Sequence, residues 1–447
     1  MIRYHARWVL PITAAPIEHG TVAVDGRTIV FVGPRGGAPA GDDVELGEAL
    51  LMPGLVNAHT HLELTAMRGF LEELPFFDWV RTLTRARAAV LTPDSLVDSA
   101  RLGIIEGLGA GITTYADTSA SGAPMQAMRE LGVRGIVYQE LFGPAPEQRV
   151  GALAELVAAV ARLRAQASDL VQVGVSPHAV YSVHEDLLVD ACAYALGERL
   201  PIAIHLAESA AELEFLREAS GPFAELLRGR GIPVVRRAHS PVHLLVELGI
   251  DIARPLLIHC VQLDESDVAF IAERGCPVAH CPGSNAKLGH GIAPLLELLA
   301  AGAVVGIGTD SVASNNRMDL LDEARLATLM QRARAGSPHA LPAAQALELA
   351  TIGGARALGL DAKVGSLEAG KEADLAAFPL GDARVTPAHD PAATAVFALA
   401  GRPASFVAVA GEPRVRDGRV LSADPALPAR VAAIGRALVA WRMGTGG

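Results

Sequence analysis

Between Leu51 and about Leu360 one pattern recurs: a short, nearly continuous apolar run, then a stretch with apolar residues at every third or fourth position. The runs are Leu51–His61, Ile112–Asp117, Val133–Glu140, Val171–Ser176, Ile202–His205, Leu256–His259, Cys276–His280 and Val304–Asp310. Apolar along their length, they read as strands buried on both faces, as a parallel sheet requires. Between them Leu153, Leu156, Val157, Val160 and Leu163 fall on one helical face, as do Val268, Ile271 and Ala272. Eight such strand–helix units predict an α/β fold, a parallel (β/α)8 barrel of TIM type. An open doubly wound sheet is the rival, but no run is followed by the glycine fingerprint of a dinucleotide site.

The two ends of the chain lack this alternation. Thr21–Val24, the turn Asp25-Gly26-Arg27 and Thr28–Gly33 predict short strands. The glycine-rich Gly33–Gly41 lacks the Gly-Lys-Ser/Thr ending of a phosphate loop and reads as a flexible loop. Past Ala362, strands and turns return at Val364–Leu367, Asp374–Phe378, Ser405–Gly411 and Arg414–Val420. Neither end is large enough to fold alone, so the two are expected to pair into one small composite β-sandwich beside the barrel. The expected division is 1–52 and 363–425 for the sandwich, 53–362 for the barrel and 426–447 for a C-terminal helix. On that helix Val431, Ile434, Leu438 and Trp441 share a face that should pack onto the body or a partner subunit.

Composition narrows the partners. With 51% hydrophobic residues in 447, the chain can bury a large core. Its 38 Lys+Arg against 49 Asp+Glu give a formal net charge of -11, which argues against a nucleic-acid partner and for a small-molecule substrate. The start lacks a secretory apolar segment and no run approaches the ~20 residues that span a bilayer, so no membrane association and a cytoplasmic location are expected. Cys192, Cys260, Cys276 and Cys281 form no C-x-x-C pair and read as free packing thiols.

The chemistry lies where the apolar runs end. His59 and His61 alternate across Thr60, so on a strand both imidazoles point the same way. Alone, that motif is equally a pair of satisfied core histidines. Five ligand-type side chains, His59, His61, His205, His259 and Asp310, close four of the runs, and in a barrel such positions converge on one mouth. Zinc held by His59, His61, His205 and Asp310 would lower the pKa of a bound water to about 7. Asp310 can then accept the water's proton, and His259 can hold the attacking oxygen or steady the oxyanion. Glu208, three residues past His205, can protonate a ring nitrogen and then the leaving group; an acid favoured by a helix N-terminus is its structural alternative. Such a site accepts Fe2+ as well as Zn2+.

These residues resemble the amidohydrolase superfamily, and within it the mononuclear aminohydrolase branch that includes cytosine and guanine deaminases, methylthioadenosine/adenosylhomocysteine deaminases and triazine hydrolases. The resemblance covers nearly the whole chain. It rests on Pro53–His61, Ser176-Pro177-His178, His205–Glu208, Ile258-His259-Cys260, Cys281–Gly289, Gly308–Asn316 and the closing Gly365–Leu375. It implies His59, His61, His205 and Asp310 as metal ligands and Glu208 as the proton shuttle. Binuclear members bridge two metals with a carboxylated lysine from the fourth strand. The lysines here are Lys287, Lys363 and Lys371, all downstream of it, so one divalent metal per chain is expected unless Glu140 bridges a second. By analogy, and from the apolar C-terminal helix, a homodimer is expected.

Glu63, Trp79 and His178 follow the first and fourth strands and are the expected substrate-binding residues. His59–Glu63 with Trp79, and Tyr138–Gly143, are most similar to the aminodeoxyfutalosine deaminases of an alternative menaquinone route, which replace a purine 6-amino group with oxygen. Adenosylhomocysteine deaminases carry a ribose-binding glutamate a few residues after the tryptophan, whereas Val80–Arg87 here has no acid. His280 is expected near the pocket, while His239, His243 and His290 read as helix or loop residues, and Arg68 as half of a structural ion pair. The leading expectation is a metal-dependent deaminase of 6-amino-6-deoxyfutalosine. The alternatives are adenosylhomocysteine, methylthioadenosine or guanine deamination, triazine hydrolysis on the same fold, and a barrel without catalysis, in which the ligand set would be eroded.

Overall fold

A computed structural model describes residues 1–444; residues 445–447 of the expected C-terminal segment lie outside the described residues. The eight barrel strands are Leu55–Thr60 (β1), Ile112–Ser119 (β2), Arg134–Leu141 (β3), Val171–Pro177 (β4), Ala203–Leu206 (β5), Leu256–His259 (β6), Val278–His280 (β7) and Val305–Ile307 (β8). Each falls within or beside an apolar run of the sequence. β1 to β4 form one parallel four-stranded sheet and β5 to β8 a second.

Two seams close the barrel. Between β4 and β5 lie the parallel bridges Val175 to Ile202 and Ala179 to His205. Between β8 and β1, Asp310 N donates to His59 O at 3.0 Å. Asn57 fastens that seam with both ends of its amide: Nδ2 donates to Thr309 Oγ1 at 2.8 Å and Oδ1 accepts from Thr309 N at 3.0 Å. Gly308 is required there, since a Cβ would lie 2.8 Å from His59 N. The barrel interior is filled by Val56, Ala58, Ile136, Tyr138 and Ile258, and the helices cover the outside. In the helix Arg149–Arg164 the buried face comprises Leu156, Val160 and Leu163, while Val157, expected on that face, is 39% exposed.

A nine-stranded sheet takes strands from both ends of the chain, and the junction is the antiparallel pairing of Ala49–Pro53 with Leu375–Pro379. The strand Ile2–Val9, in which Arg3, His5 and Arg7 alternate with apolar residues, lies inside it between Ile17–Asp25 and Ala49–Pro53. Arg134, at the start of β3, ties barrel to sheet: Nε donates to Asp374 at 3.0 Å and Nη2 to Glu372 at 2.6 Å. Val364–Leu367, expected among the strands and turns that follow the barrel, is a turn. Gly365 takes φ 93° against Ala355, a left-handed turn that buries Val364 and Leu367 without a ladder. The helix Leu427–Gly444 packs onto the body: Val431 and Leu438 are buried, and Ile434 and Trp441 lie against clusters that include Leu64, Met67 and Phe70. All four cysteines are free and buried. No helix among the described residues is long and apolar enough to cross a membrane.

Candidate metal-dependent active site

The C-terminal ends of the strands carry the polar side chains, and the backbone there is bent. Ala207, His259, Cys260 and Asp310 all have positive φ, between 49° and 75°. Left-handed non-glycine residues are strained and persist where the surrounding fold enforces them, as at active sites. They turn the chain sharply where β5, β6 and β8 end.

His59 Nε2 lies 3.1 Å and His61 Nε2 3.6 Å from Asp310 Oδ1, and His61 Nε2 is 3.3 Å from His205 Nε2. Ligand atoms of His59, His61 and His205 fall within 4.8 Å of one another, as do those of His59, His259 and Asp310. The other oxygen of Asp310 accepts from Ser284 Oγ at 2.5 Å and Ser314 Oγ at 2.9 Å. Thr118 Oγ1 sits 3.1 Å from His61 Nδ1, and His178 O 3.3 Å from His205 Nδ1, so each imidazole has an orienting partner behind it.

Burial lowers the His59 pKa to about 4, against the bond to Asp310, and burial with the neighbouring imidazoles puts His205 well below its ordinary value. For Asp310 burial works upward, yet the bond to His59 and the nearby histidines hold it well below the usual carboxylate range. His59 and His205 are then neutral beside an ionised Asp310 carboxylate. Nε2 of His61 and Nε2 of His205 face each other at 3.3 Å beside Oδ1 of Asp310, so three ligand-type atoms converge on one point. The donor set therefore fits a divalent metal.

Beside this cluster stands Glu208, 6% exposed. Burial pushes its carboxyl up, but His259 and His290 outweigh that and bring it below its ordinary value. Glu212, one helical turn on, accepts from Ala207 N at 3.1 Å and Glu208 N at 2.9 Å and so fixes the backbone that carries Glu208. His259 Nδ1 is 3.0 Å from Asn285 Oδ1, which turns Nε2 toward Glu208 Oε1, 3.7 Å away.

These groups open into a cavity of about 630 Å³, of a size that suits a nucleoside-scale ligand. His178 and Trp79 line it, as expected. His178 is held by Ser182 Oγ at 2.8 Å, and burial lowers its pKa to about 3. Glu63 also lines the cavity, but its carboxylate is already engaged: Oε1 accepts from Arg87 Nη2 at 2.7 Å, and Oε2 from Ser119 Oγ at 2.6 Å and from Ser121 Oγ. Glu140 reaches the same mouth, within 4.8 Å of ligand atoms of His178 and His205, and burial raises its pKa to about 7. Arg68 pairs with Glu106, and His239 with Asp264 at 2.7 Å, outside the site. Sequence reasoning missed His290, which stands 3.3 Å from Glu208; its position in the glycine-flanked Gly289-His290-Gly291 gave no periodic signal.

Residues 50–414 match the family described as the Amidohydrolase family. The chain is 35% identical, over 93% of its length and 94% of the relative's, to a 5-methylthioadenosine/S-adenosylhomocysteine deaminase of Desulforudis audaxviator, and 33% identical to one of Moorella thermoacetica over the same shares. Among solved structures it is similar to an adenosine deaminase from Xanthomonas campestris with bound zinc, with a TM-score of 0.87 at 30% identity over 98% of both chains. A zinc complex of atrazine chlorohydrolase from Arthrobacter aurescens TC1 gives 0.82 at 25% identity, over 98% of this chain and 100% of that one.

Proposed function

The chain belongs to the amidohydrolase family, and from that membership and the site we infer a hydrolase of C–N bonds that deaminates a purine nucleoside at its 6-amino position. The observation that carries this reading is Glu208, a buried carboxylate between two imidazoles at the edge of the His59–His61–His205–Asp310 cluster and facing the cavity. Those four residues would hold one divalent cation, zinc by preference, which lowers the pKa of a water it binds to about 7. Ester or amide hydrolysis has no need of an acid aimed at a ring nitrogen.

As the oxygen of the attacking water joins C6, Glu208, ionised at rest, takes one of the water's protons and delivers it to N1, while Asp310 accepts the other. The second water proton passes to the departing nitrogen, which leaves as ammonia, and the ring becomes a 6-oxopurine. With His259 Nδ1 set against Asn285 Oδ1, its Nε2 is turned toward Glu208 and the cavity, placed to hold the attacking oxygen or steady the oxyanion.

The finer reading is a nucleoside whose 5′ substituent is aromatic and anionic, with 6-amino-6-deoxyfutalosine first. Phe76, Phe77, Trp79, Phe142 and Phe223 line the cavity, and so do Arg85 and Arg230, neither of which has an ion-pair partner among the described residues. An aryl carboxylate satisfies both features. Adenosylhomocysteine offers a carboxylate but brings an ammonium to the same arginines, and methylthioadenosine has no charge to offer. Initial rates on the three compounds test the reading, with the highest kcat/KM expected for the aryl carboxylate. Equal or better turnover of methylthioadenosine would refute the anionic-tail assignment while leaving the deaminase intact.

A further inference from the structure

Glu208 is approached from two sides. His259 Nε2 stands 3.7 Å from Oε1, and His290 Nε2 stands 3.3 Å from the same atom. His259 lines the cavity, whereas His290 lies behind it with its side chain 4% exposed. Among the described residues His290 Nε2 makes no hydrogen bond, and the Glu208 carboxylate stands within ion-pair distance of it at 3.3 Å.

The loop that carries His290 is fixed. His290 N donates to Asn285 O at 2.9 Å, and Gln262 Nε2 donates to His290 O at 2.7 Å. The ring packs edge-on against Phe76, with centroids 4.5 Å apart at 88°. Asn285 thereby touches both residues, the His259 ring through its side-chain oxygen and the His290 backbone N through its carbonyl. A carboxyl that must give up and regain a proton needs a partner that keeps it in one orientation in both states, and an imidazole, donor when neutral and stronger donor when charged, can do that.

We propose that His290 is a positioning residue for proton transfer, which donates from Nε2 to Oε1 of Glu208 and holds that carboxyl in register with the substrate. The proposal rests on Glu208 being the proton carrier. Other charged groups bear on Glu208: His259 favours its ionised form, while burial and Asp310 oppose it. Without His290 the opposing influences gain, so the pH below which Glu208 is protonated rises.

The test compares His290→Ala, His290→Gln and Glu208→Gln in the metal-loaded protein on the aminopurine nucleoside it deaminates fastest. His290→Ala should lose roughly 10–100-fold in kcat with little change in KM, as for other orienting partners of catalytic groups. The acid limb of its kcat/KM profile should move to higher pH, and His290→Gln, which keeps a donor, should recover part of the rate. Metal content and thermal midpoint should stay at wild-type values. Unchanged kcat and acid limb in both His290 variants would overturn the proposal, as would a loss of kcat with an unmoved limb, which marks a merely structural role. An active Glu208→Gln would instead refute the proton-carrier reading beneath it.

Discussion

Nε2 of His59 and Oδ1 of Asp310 lie 3.1 Å apart, so the ends of the first and last barrel strands meet in one contact at the centre of the mouth. The other oxygen of Asp310 is held by Ser284 and Ser314. Asp310→Asn should therefore lose both bound metal, read by elemental analysis, and deaminase activity. Ser284→Ala should leave the fold intact and reduce activity by roughly 10–100-fold, because it loosens the carboxylate without removing it. Wild-type metal content in Asp310→Asn would contradict this.

Chelation tests the same cluster through stability. A ligand that binds only the folded chain adds about 4 kcal/mol when its free concentration is 1,000 times its Kd. Dialysis against a chelator should lower the thermal midpoint and abolish activity, and added zinc should restore both. His61→Ala should show the low midpoint whether or not zinc is present.

Glu63 and Arg87 form a structural pair more than a substrate grip. Arg87→Ala would strand a carboxylate that is 2% exposed, and loss of one partner of a buried pair costs about 3–5 kcal/mol. Ser119 and Ser121 place the expected value at the low end. Urea midpoints should thus fall far more for Arg87→Ala than for Arg85→Ala, which has no ion pair among the described residues. A Glu63→Gln variant of wild-type stability with a raised KM would instead support direct contact with the nucleoside.

Two buried acids set a pH dependence. Burial raises Glu212 and Glu323 to about 8, despite backbone donors to Glu212 and despite Gly283 N at 2.8 Å and Asn315 Nδ2 at 2.7 Å on Glu323. Unfolded, each titrates near 4.5, so between that value and about 8 the folded chain binds more protons than the unfolded one. Stability contributed by these groups is then full at low pH and declines as pH rises through this window. Denaturation at pH 5.5 and 8.5 should show the decline, and Glu323→Gln should flatten it.

Much of the barrel was legible because buried parallel strands are continuous apolar runs and catalytic groups close them. His59, His205, His259 and Asp310 were found by that rule alone. What escaped was long-range polarity: nothing in the sequence links Glu63 to Arg87, 24 residues on, or His290 to Glu208, because such pairs are set by how loops fold over the mouth. Ile2–Val9 was legible in principle, since Arg3, His5 and Arg7 alternate with Ile2, Tyr4, Ala6 and Trp8, and those three polar residues find partners in Asp43, Glu18 and Glu48.

The most direct test of the central claim is ammonia release from 6-aminopurine nucleosides by the zinc-loaded protein, followed together with the ultraviolet change from adenine to hypoxanthine, with Glu208→Gln alongside. One ammonia per hypoxanthine formed, lost by roughly 100-fold or more in Glu208→Gln, is the predicted result. Silence on every aminopurine nucleoside from protein that retains its metal would contradict it.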